Sequence, residues 1–249
     1  MLDRPTFLRP IAHRGLHNAS VGVIENTPSA FAAGLGKGYG IECDLQAAID
    51  GTPIVFHDET VDRLTQASGR VDTMTPAALR SLSYKASKDR IISYAELLEL
   101  AAGRGPLLVE IKSEWGPQRA GFLEQIAALS TAYKGPLALM SFDPAVMVRL
   151  AELAPSVPRG IVAGRYVGQG WWLDQLGQER GDRLTDLLES AAAKVSFYSY
   201  HVKALPTPVT RYVRDVQGLP LFCWTVRTPE DRAIAAQWSD APTFEGFEP

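Results

Sequence analysis

The chain has 249 residues, 46% of them hydrophobic and 21% charged, which is enough apolar material for a sizeable core in one large domain, residues 1–249. A formal net charge of −3, with Lys and Arg scattered along the chain, excludes a general electrostatic footprint for nucleic acid, so an anionic ligand must be held locally. No stretch approaches bilayer-spanning length, the amino-terminal MLDRPTFLRP lacks an apolar targeting core, and Cys43 and Cys223 lack C-x-x-C spacing; the expectation is a cytoplasmic protein with no stable membrane insertion and two small core cysteines.

PIAH (10–13) opens a series of β-branched and aromatic runs. Thr27-Pro28 then offers an N-cap oxygen followed by a residue whose missing N–H costs nothing in the first helical turn, and so predicts a helix. The stretch Gly34-Leu35-Gly36-Lys37-Gly38-Tyr39-Gly40 follows that helix and precedes the strand GIECDL (40–45), the reverse of a phosphate cradle, and reads as a helix C-cap. PIVFH (53–57) is the third strand. The connection from Asp58 to Pro106 is unusually long and carries short helices of its own, started by Thr75-Pro76 and by the Ser93/Glu96 capping box; residues 58–106 read as an insertion beside the active site. PLLVEIK (106–112), PLALMSF (136–142), RGIVA (159–163), VSFYSY (195–200), PLFCWTV (220–226) and PTFEGF (242–247) complete the strands, with helix starts at Asp143-Pro144, Thr207-Pro208 and Thr228-Pro229. Such alternation argues for an α/β fold with a largely parallel sheet. Open nucleotide-binding sheets need G-x-G-x-x-G or a P-loop between the first strand and a helix, and neither occurs in that setting, so a closed barrel is preferred.

Several of these strands carry charges where buried staves would carry Val, Ile or Leu. Period-two alternation turns Glu42 and Asp44 to one face with Cys43 opposite, pairs Glu110 with Lys112, and places His13 and His57 at the ends of their strands. Taken singly, each is ordinary: a hydrogen-bonded histidine, a solvated edge or a surface ion pair. Four strands placing rare charges at matching ends is not. In a barrel these ends converge on the carboxy-terminal mouth. Three carboxylates packed there would repel, and a hard divalent cation such as Mg²⁺ or Ca²⁺ is the natural neutraliser. His17 and His201 lie near strand ends as further histidines, and Trp171, Trp172 and Trp224 are candidates for an apolar wall.

The run from IAHRGLHN through ENTPSAF, IECDLQ and DGTPIVFHDET resembles the opening of the glycerophosphodiester phosphodiesterase family, and EIK, MSF and CWTV resemble its later strands. The resemblance implies a TIM-type (β/α)8 barrel, here with a short insertion after the third strand, that hydrolyses a small-molecule phosphodiester with a divalent metal. It implies His13 and His57 as the catalytic pair, Glu42, Asp44 and Glu110 as metal ligands, Arg14 and Lys112 as phosphate-binding groups, and a supporting role for Asn26. Ile24 stands where the family usually has Pro, and Thr243-Phe244-Glu245 stands where the last strand often ends in Thr-Asp. Rival readings are a phospholipase D-like lyase acting on lyso- or sphingolipids, a glycosidase using paired carboxylates, and a non-catalytic barrel that binds a phosphorylated ligand. Oligomeric state, head group and the choice of metal are left open.

Overall fold

A computed structural model describes the backbone of residues 1–249 and the side chains of all but Trp171. Eight parallel strands close into a barrel: β1 (Ile11–Ala12), β2 (Gly40–Ala47), β4 (Leu107–Ile111), β5 (Leu137–Ser141), β6 (Arg159–Ala163), β7 (Phe197–His201), β8 (Leu221–Val226) and β9 (Ala241–Phe244). Closure comes from β1, which pairs with β2 on one side and β9 on the other. The ninth strand, β3 (Pro53–Val55), is antiparallel to the outer end of β2 and is not a stave. PIVFH was expected to bring His57 to the mouth as one more parallel strand end; instead β2 overshoots the barrel and β3 folds back down along it. Composition gives a strand of this length no direction, which explains the difference.

Helices cover the outside. Those with the expected Thr-Pro or Asp-Pro starts are α2 (Pro28–Gly36), α3 (Pro76–Ser81), α6 (Pro144–Leu153), α8 (Pro208–Asp215) and α9 (Pro229–Trp238), each with its Thr or Asp side chain accepting a backbone N–H. Helix α4 (Tyr94–Ala101) carries the Ser93/Glu96 capping box, and α2 runs into a glycine-rich C-cap as read. Two further helical spans have no such signature: α5 (Phe122–Ala132) and α7 (Trp171–Thr185), the latter broken by a kink at Gly177 (φ 74°, ψ 163°), both start after glycines that make no side-chain cap.

Side chains alternate across each stave. Cys43, Val109, Leu139, Tyr198 and Cys223 point out into a core shared with the helices. Ile11, Leu108, Met140, Phe197, Phe222 and Ala241 point in and fill the barrel, and the amino-terminal helix α1 (Arg4–Phe7) helps close its base with Phe7. The expected insertion divides in two. Residues up to about Ile91 form a cap with a separate small core around Phe56, Val61, Leu79 and Tyr84, whereas Tyr94, Leu97, Leu98 and Ala101 make α4 an ordinary helix of the barrel ring.

Candidate active site

At the carboxy-terminal mouth the same alternation brings His13, Glu42, Glu110 and Lys112 to the wall of a cavity of about 1140 Å³, with Asp44 buried beside them. Strand β2 brings Glu42 and Asp44, 2% and 1% exposed, and its neighbour β4 brings Glu110 opposite Asp44. Lys112 Nζ lies 2.7 Å from Asp44 Oδ1 and 2.5 Å from Glu110 Oε1. Burial works against the Lys112 charge, but the two carboxylates outweigh it and raise its pKa. Burial likewise opposes ionisation of Asp44, yet Lys112, His57 and Arg14 hold its carboxyl well below the usual carboxylate range.

Arg14 and Gly15 turn the chain sharply after β1. Both adopt positive φ, 55° and 80°, and a Cβ at Gly15 would come within 2.8 Å of Ala30, so only glycine fits. The turn aims the Arg14 N–H at Glu42 Oε2, 2.9 Å away, and brings Arg14 Nε to 3.5 Å from Asp44 Oδ2. Asn26, also at positive φ, donates from Nδ2 to Asp44 Oδ2 at 2.8 Å and so keeps that carboxylate fixed.

Both histidines of the expected pair are anchored through Nδ1, which leaves Nε2 as the free ring nitrogen. His13 Nδ1 is 2.6 Å from Glu245 Oε2, and His13 Nε2 is 3.9 Å from Glu42 Oε2. Burial is the largest influence on His13 and lowers its pKa, against the opposing effect of Glu245. His57 Nδ1 is 2.7 Å from Asp58 Oδ1. The Phe56 N–H to Asp44 carbonyl bond of 3.0 Å sets His57 over the cavity.

Residues outside the expected set complete the site. Arg63, in the cap, donates to both Asp58 and Glu25, and Glu25 in turn binds Arg14 at 2.6 Å. An unbroken chain of charge-assisted hydrogen bonds thus runs from Arg14 to His57. Glu245 also accepts from Arg227 at 2.9 Å; burial opposes its charge, but His13 and Arg227 take its pKa down to about 2. Of the other candidates, His201 stacks edge to face on Trp224 at 5.0 Å, Trp172 packs against Tyr166, and Trp224 lines the cavity. The His17 side chain is partly buried outside the cavity wall, and the Trp171 side chain lies outside the described residues.

The carboxylate trio fits a divalent cation. One oxygen from each of Glu42, Asp44 and Glu110 lies within 4.8 Å of the others. Glu42 Oε1 is buried without a hydrogen-bond partner, and burial, Asp44 and Glu110 together push the Glu42 pKa well up. Such a group is stabilised as an anion by a hard cation ligated through oxygen.

A profile of the glycerophosphoryl diester phosphodiesterase family matches residues 13–241. A glycerophosphodiester phosphodiesterase of Caldanaerobacter subterraneus subsp. tengcongensis is 29% identical over 234 residues, covering 89% of this chain and 86% of the relative. Among solved structures, an Oleispira antarctica phosphodiesterase in complex with its product sn-glycerol-3-phosphate is similar at a TM-score of 0.70, with 22% identity, 95% of this chain and 92% of that one. A glycerophosphodiester phosphodiesterase of Thermotoga maritima is similar at a TM-score of 0.70, with 21% identity over 95% of this chain and 93% of the other; both structures share the barrel. With the match running from the first catalytic candidate almost to the last stave, the chain belongs to the glycerophosphoryl diester phosphodiesterase family.

Proposed function

We propose that this protein hydrolyses glycerophosphodiesters to glycerol 3-phosphate and an alcohol, with His13 as general base, His57 as general acid, Arg14 and Lys112 binding the phosphate, and Glu42, Asp44 and Glu110 holding Mg²⁺ or Ca²⁺. The observation that carries this is the pair of histidines fixed through Nδ1 beside a buried carboxylate trio. A phosphodiester anion repels nucleophiles and its alkoxide leaves poorly, so a site must neutralise charge and deliver a proton. A divalent cation held by Glu42, Asp44 and Glu110 would supply charge neutralisation for the phosphodiester. Arg14, held charged by Asp44, Glu25 and Glu42 against the effect of burial, spreads the rest.

His13 takes the proton of the nucleophile at Nε2 while Glu245 steadies the ring. As the bond from phosphorus to the departing oxygen breaks, His57 delivers a proton from Nε2 to that oxygen. His57 is the more exposed of the two, which supports giving it the departing alcohol. The nucleophile is water or a hydroxyl of the glycerol arm, and a cyclic phosphate seen by phosphorus NMR during turnover identifies the latter.

The Oleispira complex with sn-glycerol-3-phosphate supports this product for a barrel of the same shape. A glycosidase would leave His13 and His57 without a role. We take residues 1–249 as a single domain, supported by barrel closure between β1 and β9, and the cytoplasm as its compartment, supported by two buried free thiols; no helix is long and apolar enough to cross a membrane.

The test is release of glycerol 3-phosphate from glycerophosphodiesters with choline, ethanolamine and glycerol head groups, in Mg²⁺, Ca²⁺ or chelator. Metal-dependent release is expected, with His13→Ala and His57→Ala each slower by a factor of about 10² or more. Release in chelator at the full rate, or near-wild-type turnover by both variants, contradicts the assignment.

A further inference from the structure

The loop between β4 and α5 walls one end of the cavity with Ser113, Trp115 and Pro117. Across that end it meets the cap, whose Asp58 anchors His57. Arg70 of the cap binds Glu59 and Asp72 and, on the loop, Glu114, while Arg119 of the loop lies 3.6 Å from Asp72. The loop thus bounds the end of the cavity on which His57 sits. Asp58, Glu59, Asp72 and Glu114 line this end as well, and each already has an arginine partner. What the wall has left to offer a substrate here is carbon surface, chiefly the Trp115 indole.

Trp115 has a φ of 60°, a conformation that large side chains rarely adopt. It is held there from two sides. Its N–H donates to Ser113 Oγ at 3.0 Å, Gln118 Nε2 donates to the same oxygen at 2.9 Å, and the Ser113 hydroxyl donates to Asp143 Oδ2 at 2.6 Å. One donor and two acceptor positions are then all used, so Ser113 has no capacity left for a ligand although it lines the cavity. Asp143, 3% exposed, is fixed in turn, accepting the Ala145 N–H at 3.0 Å while its own N–H donates to Ser141 Oγ at 3.2 Å. From the other side, Gln175 of α7 donates to the Glu114 carbonyl at 2.7 Å, and the Arg180 guanidinium lies over the indole at 5.2 Å. The ring also packs against the cluster of Tyr166, Trp172 and Leu184. Backbone strain that the surroundings secure this thoroughly, on the wall of a reaction cavity, points to a functional side chain.

We propose that Trp115 determines which alcohols this hydrolase accepts, by packing its indole against the departing group, and that Ser113, backed by Asp143, is the positioning residue that seats it. This rests on the phosphodiesterase reading above and adds how the alcohol is read: by contact area and not by charge, so that alcohols with more carbon surface are favoured.

The experiment compares kcat/KM for sn-glycero-3-phosphocholine with that for the methyl ester of sn-glycerol 3-phosphate, two diesters that differ only in the alcohol, in the presence of divalent metal. Wild type, Trp115→Gly, Ser113→Ala, the double variant and Ser113→Thr are assayed; glycine removes the indole at a φ that it accepts without strain. The choline-to-methyl ratio should fall by about ten-fold in Trp115→Gly and in Ser113→Ala, fall no further in the double variant, and be retained in Ser113→Thr. A ratio unchanged in Trp115→Gly overturns the proposal, and so do losses that add in the double variant, because Ser113 would then not act through the indole. The neutral 3,3-dimethylbutyl ester, which matches choline in shape, should be cleaved within about three-fold of the choline ester; a ten-fold deficit would mean that charge is read, and overturns the proposal too. Wild-type protein that cleaves none of these diesters overturns the phosphodiesterase reading and the role of Trp115 with it. Should Ser113→Ala fail to fold, the ratio in Trp115→Gly decides alone.

Discussion

Glu245 Oε2 meets His13 Nδ1 at 2.6 Å across 232 positions of sequence, because β1 and β9 are the two strands that close the barrel. Glu245 can therefore hold His13 in one tautomer with Nε2 free for the substrate. Glu245→Gln is expected to lower kcat by about 10²-fold with a smaller change in KM, as a weakened anchor misplaces the proton acceptor without removing a substrate contact. Steady-state kinetics checks this, and an unchanged kcat would remove Glu245 from the mechanism.

Glu42→Gln and Glu110→Gln should weaken divalent-ion binding by about 100-fold, because an amide offers the cation a dipole in place of a charge. Isothermal titration with Mg²⁺ and Ca²⁺ measures this directly. Titration curves identical to wild type would exclude both residues as ligands.

Lys112 bridges Asp44 and Glu110, so Lys112→Met leaves two buried carboxylates facing each other. In chelator the variant should lose about 3 kcal/mol in urea unfolding, the scale for breaking a buried ion pair. Added divalent ion should narrow that deficit if, as proposed, it binds the folded chain through the same carboxylates. A deficit of equal size with and without the ion would show that lysine and cation do not share them.

Arg63 ties Asp58 to Glu25 from within the cap. Arg63→Met is expected to reduce kcat by about ten-fold, in the range found for groups that orient a site from behind, with partial recovery in Arg63→Lys. Equal kinetics for the wild type and Arg63→Met would make this a surface ion pair and nothing more.

Away from the site, Asp231 caps α9 by accepting from the N–H groups of Arg227 and Thr228. Burial raises its pKa, but these bonds outweigh that and leave it below the ordinary value. A depressed folded pKa means that the stabilisation is complete above the unfolded pKa of about 3.9 and is lost as the pH falls through the folded value. Asp231→Ala should cost about 1 kcal/mol at pH 7, and that difference should shrink below about pH 4. Urea titrations across this range decide it; a gap that widens in acid would have the wrong sign.

Much of the site is legible in the sequence because it is written in strand periodicity. Glu42 with Asp44, and Glu110 with Lys112, needed only alternation and a mouth to converge on. His57 is the instructive case, since it reaches the cavity wall from an antiparallel return strand and not from a parallel stave, and the two have the same composition. Helices α5 and α7 were invisible to cap signatures because Gly121 and Gly170 precede them without a capping side chain. Glu245 could be noticed only as a departure in the last strand. Its partner is fixed by barrel closure, and no local pattern encodes that.

The return strand β3 has a consequence for how this chain tolerates change in length. Its pairing of Leu45 with Val55 and Ala47 with Pro53 is set by the tight turn through Gly51, where φ is 82° and a Cβ would lie 2.3 Å from the Ala120 carbonyl oxygen. One residue added or removed in that turn slips the register and swings His57 to the opposite face, away from Asp44. The same change further along, in the exposed loops of the cap, leaves this pairing untouched. A stretch that admits no indel is thus joined directly to one in which length is free to drift.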